Sequence, residues 1–502
     1  ITIQINEGPK FSINEIYFNG ELLFTEAELM EKLMLKPTNV YSEESLRKDI
    51  QVLTEMYQDK GYAFANVLRT LEIVPGENKV DIRFSFEKGK IAYFGDVIIK
   101  GNTKTRDKVV RRELKIHEGM KYSGSLLRIS KENVNRLGFF QPGSVIFNTV
   151  SPKGKDDILN VEISVKERQT GQISLGAGYS TATKEFLQAS IQQNNFRGLG
   201  QNLNFSLSIS GGQQVYNVGF TEPYLFDTKW TAGGDIFKTS SSFISAYSMA
   251  KKGFDLRVGH PVFDYARAFL TYKFEDIEVS EVDAAIYDRE DEQGLSSGLE
   301  LSLRYDKRNN VFEPSNGHYV RAAIEYVGIG GDLNWIKSEL EGRFYRPVVG
   351  ELVFRSRVRA RQLLEVSNEY IPRHAKFSMG GARNMRGYSF EDIGPKVTAR
   401  NISTNLDQEF NTGGMFSLIG TMELEHPLIK EAGLKWVLFV DAGNVYEKYM
   451  GQDDNYDLRL DYGFGFRWFS PIGVLRFEFG YPINPKDGEE GSQFHFDIGP
   501  MF

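Results

Sequence analysis

Two kinds of hydrophobic spacing divide this chain. Up to about residue 168, apolar positions recur at three- and four-residue intervals between short alternating runs. Beyond Arg168-Gln169 the helical spacing disappears and alternation runs to the end. The cleanest stretch is 458–469, where Leu458, Leu460, Tyr462, Phe464, Phe466 and Trp468 fall on one face and Arg459, Asp461, Gly463, Gly465 and Arg467 on the other. After Ser470-Pro471-Ile472-Gly473 the pattern repeats, with Leu475, Phe477, Phe479 and Tyr481 opposed to Arg476, Glu478 and Gly480.

About 16 such segments are predicted, an even number as in bacterial transmembrane barrels. They start near 171, 185, 201, 213, 228, 246, 264, 295, 318, 334, 351, 414, 434, 457, 473 and 492. The long connections 280–294, 365–413, 447–456 and 482–491 all follow odd-numbered segments. With the first segment running outward, those long loops lie outside the cell and the short turns inside. A soluble sandwich would also alternate, but its apolar faces would pack inward, without so many long aromatic-rich strands. The fold class expected for 169–502 is a transmembrane antiparallel β-barrel.

The first third contains a repeat. Setting Gly8 against Gly89, a shift of 81, also brings Gly20 onto Gly101, Leu33 onto Leu114, Tyr41 onto Tyr122 and Leu46 onto Leu127; further on, Gly61-Tyr62 meets Gly138-Phe139. Each unit reads β-α-α-β-β: a strand (13–18; 97–99), two helices (26–35 and 43–60 in the first unit) and two closing strands such as 80–86 and 159–165. Each second helix stops at a glycine. The units, 9–88 and 89–168, are each large enough for one small α+β core with a mixed sheet. Residues 1–8 match 82–89, the last strand of a unit, and read as the tail of a further unit upstream.

Composition changes this picture little. A mean hydropathy of −0.36 and 25% charged residues suggest a soluble chain, but a barrel that alternates lipid- and lumen-facing residues also averages low. No run reaches the roughly 18 apolar residues of a membrane helix; 436–440 ends at Asp441. Aromatics are 13% of the chain and Gly numbers 49. With 0 Cys there is no disulfide framework and no thiolate metal site. The net charge of −7 gives no sign of nucleic-acid binding.

Enzymatic chemistry finds little support. Gly294-Leu295-Ser296-Ser297-Gly298 matches G-x-S-x-G, but it sits where a loop enters a strand rather than at a strand-turn-helix elbow. There is no nucleotide-binding G-x-x-x-x-G-K-[ST] run and no His-Glu-x-x-His motif, and the six His are scattered. No catalytic residue, cofactor or metal is expected. Phe494, Phe496, Ile498, Pro500 and Phe502 alternate up to a terminal aromatic, which resembles the C-terminal signal by which bacterial outer-membrane proteins are recognised for assembly.

The repeats look like POTRA domains. The barrel, together with Gly380-Gly381-Ala382-Arg383-Asn384-Met385-Arg386-Gly387-Tyr388 and Ile393-Gly394-Pro395-Lys396 on the long loop 365–413, resembles the BamA family of outer-membrane assembly proteins over essentially the whole chain. That resemblance implies the last two of five POTRA units and a loop folded back into the lumen. It also implies a latch of Arg386, Gly387 and Tyr388 against Glu423 and Asp441. Parity agrees for Glu423, which lies between outward Met422 and Leu424; Phe439 and Asp441 share parity, which blurs that strand.

The resemblance further implies a factor that folds and inserts other β-barrels through a lateral seam between the first strand (Ile173, Leu175, Gly176, Gly178) and the last (Phe494, Phe496, Ile498, Gly499). Glycines weaken strands, in keeping with a seam that opens. The implied location is the bacterial outer membrane with the repeats in the periplasm. Implied partners are unfolded outer-membrane proteins, periplasmic chaperones, accessory lipoproteins and outer-membrane lipid. A two-partner secretion transporter and a TamA-like assembly factor share these features. The transporter normally has a plug helix before two POTRA units, and here a third unit's tail stands in that place.

Overall fold

The computed structural model describes residues 9–180, 184–242, 247–310, 313–366, 369–450, 456–470, 473–486 and 488–498. Segment 1–8, Gly499 and Phe502 lie outside the described residues.

Both repeats fold as β-α-α-β-β. In the first, strand Ser12–Gly20 is followed by helices Glu26–Lys32 and Glu43–Gln58 and strands Asn66–Ile73 and Lys79–Glu87. In the second, the elements are Tyr93–Lys100, Asp107–Arg111, Gly124–Arg136, Ile146–Val150 and Ile158–Ser164. In each, the last strand is central, parallel to the first and antiparallel to the other, a mixed sheet.

The helices begin where side chains replace missing backbone partners. Thr25 and Glu28 form a reciprocal capping box, and Ser42 and Ser123 cap the longer helices. The longer helices give way to Gly61 (φ +99°) and Gly138 (φ +71°). The first helix ends three residues earlier than its spacing predicts, at Lys32, because buried Asp49 accepts the Met34 and Leu35 amides at 2.7 and 3.0 Å. Ser130, the same position one repeat later, accepts the Lys115 amide at 2.8 Å. The first core gathers Ile13, Leu29, Leu46, Leu53, Tyr57, Ile82 and Phe84; the second gathers Phe94, Val97, Val109, Val134, Leu159, Val161 and Ile163.

The two repeats dock through the end of one helix and the start of another. Asp59 accepts from Ser123 Oγ at 2.6 Å and from the Ser125 amide at 3.0 Å. Arg128 reaches Glu55 at 3.1 Å, and a Cβ on Gly124 would strike the Gln58 side chain.

Sixteen of the remaining strands form one antiparallel sheet, a barrel. They are Gly171–Ser180, Lys184–Phe196, Gln201–Ser210, Gln213–Glu222, Thr231–Ser241, Ser248–Phe263, Ala266–Ser280, Gly294–Asp306, Gly317–Val327, Trp335–Val349, Leu352–Leu364, Phe416–Ile429, Leu434–Tyr446, Arg459–Ser470, Gly473–Ile483 and Gln493–Ile498. Every start lies within three residues of the alternation reading. Each strand pairs with its neighbours in chain order, across the loop 365–413 as well. Among the described residues no helix is long and apolar enough to cross a membrane. The outward face is apolar and exposed: Leu460, Tyr462, Phe464, Phe466 and Trp468 are all more than a third accessible, whereas Asp461, Arg467 and Glu478 on the inner face are buried.

Candidate functional site

Loop 365–413 turns back against the inner wall. Its turn at 380–388 is self-closed: the Gly381 amide donates to the Tyr388 carbonyl at 3.0 Å, and Met379 bridges Ile393. Gly380 sits at φ +115°, where a Cβ would meet the Ser389 carbonyl at 2.1 Å. Further along, strands Lys396–Arg400 and Asp407–Asn411 pair into a hairpin, and Asn401 beside it bridges Ala284 of loop 280–294. The same two loops meet again at buried Glu292, which accepts from Tyr247 Oη at 2.5 Å, from Tyr370 Oη and from the Arg373 amide at 2.9 Å. Burial, then the bond to Glu292, pushes the Tyr370 phenol above its ordinary range.

At the centre of the turn, Arg386 is fully buried. Its Nε and Nη2 bind the two oxygens of Asp441 at 2.8 and 2.9 Å, and its Nη1 binds Glu423 at 2.7 Å. The guanidinium lies 3.4 Å from the centroid of the Phe439 ring. Burial alone would weaken the charge of Arg386, but Asp441, Glu478 and Glu423 outweigh it and hold the guanidinium well above its ordinary range. The Tyr388 hydroxyl donates to the Leu460 carbonyl at 3.0 Å. Gly387 is pressed against the wall, with a Cβ there 2.5 Å from Asp461 Cβ. Arg386, Gly387, Tyr388, Glu423 and Asp441 are thus brought into one cluster.

The cluster is wider than sequence reasoning drew it. Arg467 binds Glu423 at 2.7 Å, Glu478 at 2.8 Å and Glu425 at 3.0 Å; Glu425 also binds Arg355 at 2.6 Å. Arg476 donates to Asp497 at 2.7 Å and lies 3.3 Å from Glu478. These charges span the eleventh, twelfth, fourteenth, fifteenth and sixteenth strands. Parity had placed Arg467, Arg476 and Glu478 on the inner face, but only the register shows which meet. Such a network of charge-assisted bonds fixes position more surely than it adds net stability.

The seam residues lie on two edge strands. Gly171–Ser180 and Gln493–Ile498 approach within 8 Å, Cα to Cα, yet no ladder joins them among the described residues. Ile173 and Leu175 are largely exposed, and a Cβ on Gly176 would touch nothing. Gly178 is paired with Phe186 on the second strand. Phe494 packs tilted against Phe479 and Phe496 stacks on Phe477, at 4.8 and 4.9 Å between ring centres, and Ile498 pairs with Leu475. At 294–298 the G-x-S-x-G stretch lies within a barrel strand, with no helix after it.

The model of the Omp85 superfamily domain matches residues 195–502, and that of POTRA, a surface antigen variable number repeat, matches 11–89 and 92–168. The outer membrane protein assembly factor BamA of Nitratidesulfovibrio vulgaris is 28% identical over 513 residues, covering 100% of this chain, which spans 63% of that relative's length. BamA of Neisseria meningitidis is 26% identical over 553 residues, covering 100% of this chain and 68% of its own. Among solved structures, BamA from Haemophilus ducreyi lacking POTRA domains 1-3 superposes with a TM-score of 0.67 at 24% identity, covering 97% of this chain and 99% of that one. CdiB from Escherichia coli gives 0.56 at 15% identity, covering 99% and 92%. These last two likenesses are of fold. With a matched barrel domain over more than half its length and two matched repeats before it, the chain belongs to the Omp85 superfamily.

Proposed function

We propose that this protein assembles β-barrel proteins into the bacterial outer membrane, with its POTRA repeats on the periplasmic side. The observation that carries this reading is that the first and last barrel strands meet without a ladder among the described residues. An edge with free backbone groups templates an incoming strand by β-augmentation. The work is done by the client's own folding free energy, without covalent chemistry. Unfolded outer-membrane proteins are the clients, delivered by periplasmic chaperones, and accessory lipoproteins dock on the repeats. In this reading Arg386, Gly387 and Tyr388, held by Glu423 and Asp441, are a latch that fixes the loop against the wall. Phe502 belongs to the C-terminal signal by which the protein itself is recognised.

The test uses cysteine pairs across 172–180 and 493–498, which the absence of native Cys makes clean. In cells depleted of the native protein, a locked seam is expected to block assembly of several unrelated barrels, and reductant to restore it. Loss of one secreted protein alone identifies a two-partner transporter instead. Normal assembly behind a verified lock rules out the opening seam.

A further inference from the structure

The turn that carries Arg386 also grips the last strand. Among the described residues, Gln493–Ile498 pairs along one edge only, with the fifteenth strand. Its outward rings, Phe494 and Phe496, pack against rings of that same neighbour. Its inward residues reach the loop. His495 Nε2 lies 2.8 Å from the Arg386 carbonyl, and Asp497 Oδ2 accepts from Arg383 Nε at 2.9 Å as well as from Arg476. Arg476 in turn donates to the Ala382 carbonyl at 3.2 Å. Gly480, on the fifteenth strand, lets the Arg386 carbonyl pass, since a Cβ there would lie 2.1 Å from it. On the opposite edge, Gln172 and Ser174 of the first strand bond to each other.

We infer that Arg383, His495 and Asp497 are positioning residues through which the loop holds the free edge of the barrel in place, standing in for the partner strand that edge lacks. The inference rests on the reading of the seam as the working site. The hold has two parts of different character. His495 and the Arg386 carbonyl are buried, so this bond moves only with the turn. Arg383 is the exposed part: its side chain is 67% accessible, against 0% for Arg386. An exposed ion pair is weak and screened by salt. It is therefore the bond that an incoming strand, competing for the same edge with a row of backbone hydrogen bonds, displaces first.

The experiment uses the full chain in lipid nanodiscs, spin-labelled at Ser174→Cys and Gln493→Cys, with Met422→Cys and Val440→Cys, register partners on the twelfth and thirteenth strands, as the internal control pair. In the Arg383→Gln/His495→Ala variant, the 174–493 distance is expected to lengthen by about 5 Å, one inter-strand spacing. The 422–440 distance should stay fixed. Arg383→Lys with His495→Gln, which keeps a charge and a donor, should restore the narrow distribution. Salt at about 0.5 M should widen the seam of the parent chain and add nothing in the double variant.

An unchanged 174–493 distance in the double variant overturns the clamp, as does equal broadening at 422–440, which marks general loosening. Insertion of a reference barrel into liposomes by the same samples separates the two readings. A widened seam with unaltered insertion supports the clamp and removes the seam as the working site. An unmoved seam in the double variant, with insertion still abolished by a disulfide lock, removes the clamp and leaves the seam.

Discussion

Asp441 meets Arg386 edge to edge, two parallel bonds of 2.8 and 2.9 Å, with the Phe439 ring from the same strand closing the face of the guanidinium. Arg386→Met is expected to leave Asp441 and Glu423 buried without their partner and to cost about 3–5 kcal/mol. Arg386→Lys should recover little, because an ammonium satisfies neither the fork nor the stacked face. Loss of the compact, detergent-resistant band on unheated gels, together with loop cleavage by added protease, measures both.

Gly480→Ala places a methyl 2.1 Å from the Arg386 carbonyl, against backbone that has nowhere to go. It should displace the turn and cost about 1–3 kcal/mol. Gly342→Ala, where a Cβ meets nothing within 4 Å, is the matched control and should be silent. Protease sensitivity of 380–388 in the first variant only is the expected readout.

Asp59→Ala removes the acceptor that Ser123 and the Ser125 amide share at the junction of the repeats. A loss of about 1–2 kcal/mol is expected, with wider sampling of the angle between the repeats. Distance distributions between labels on helices Glu43–Gln58 and Gly124–Arg136 should broaden, while the core of each repeat keeps its hydrogen-exchange protection.

Glu167 accepts from Thr103 Oγ1 at 2.7 Å and from the amides of Lys104 and Thr105 at 2.9 and 2.6 Å. Burial pushes its carboxyl up, but these donors outweigh burial and hold it below the usual range. A depressed folded value means that its contribution is complete above the unfolded pKa, about 4.3, and is lost as pH falls through the folded value. Glu167→Gln should therefore lower the urea midpoint of the second repeat near pH 7, and the gap from the parent should close as pH falls through the folded value. A gap that persists at low pH would show the carboxylate to be unimportant.

The barrel was legible because alternation is a backbone property: side chains point in and out whatever lies opposite. Met422 and Leu424 thus predict inward Glu423 without knowledge of any neighbour. Phe439 was the ambiguous position, since an aromatic on the inner face broke the pattern; it is there to carry the Arg386 guanidinium. Arg383, His495 and Asp497 could not be found in this way. Their roles depend on the path of a loop and on which strands stand side by side, and neither leaves a period in the sequence. The end of the first helix was missed for a similar reason, because Asp49 acts on it from the next helix.

Chain-order pairing has a kinetic side. Most consecutive strands close short loops, which is fast and entropically mild, whereas the latch joins residues 37 and 55 positions apart, with the twelfth strand lying between Arg386 and Asp441. Arg386 finds Glu423 and Asp441 side by side only after the twelfth and thirteenth strands have paired, and Arg383 finds Asp497 only after the last hairpin has formed. The latch thus closes late in the protein's own maturation. A barrel short of its final strand keeps the Arg386 contacts but lacks the hold of His495 and Asp497 on the turn.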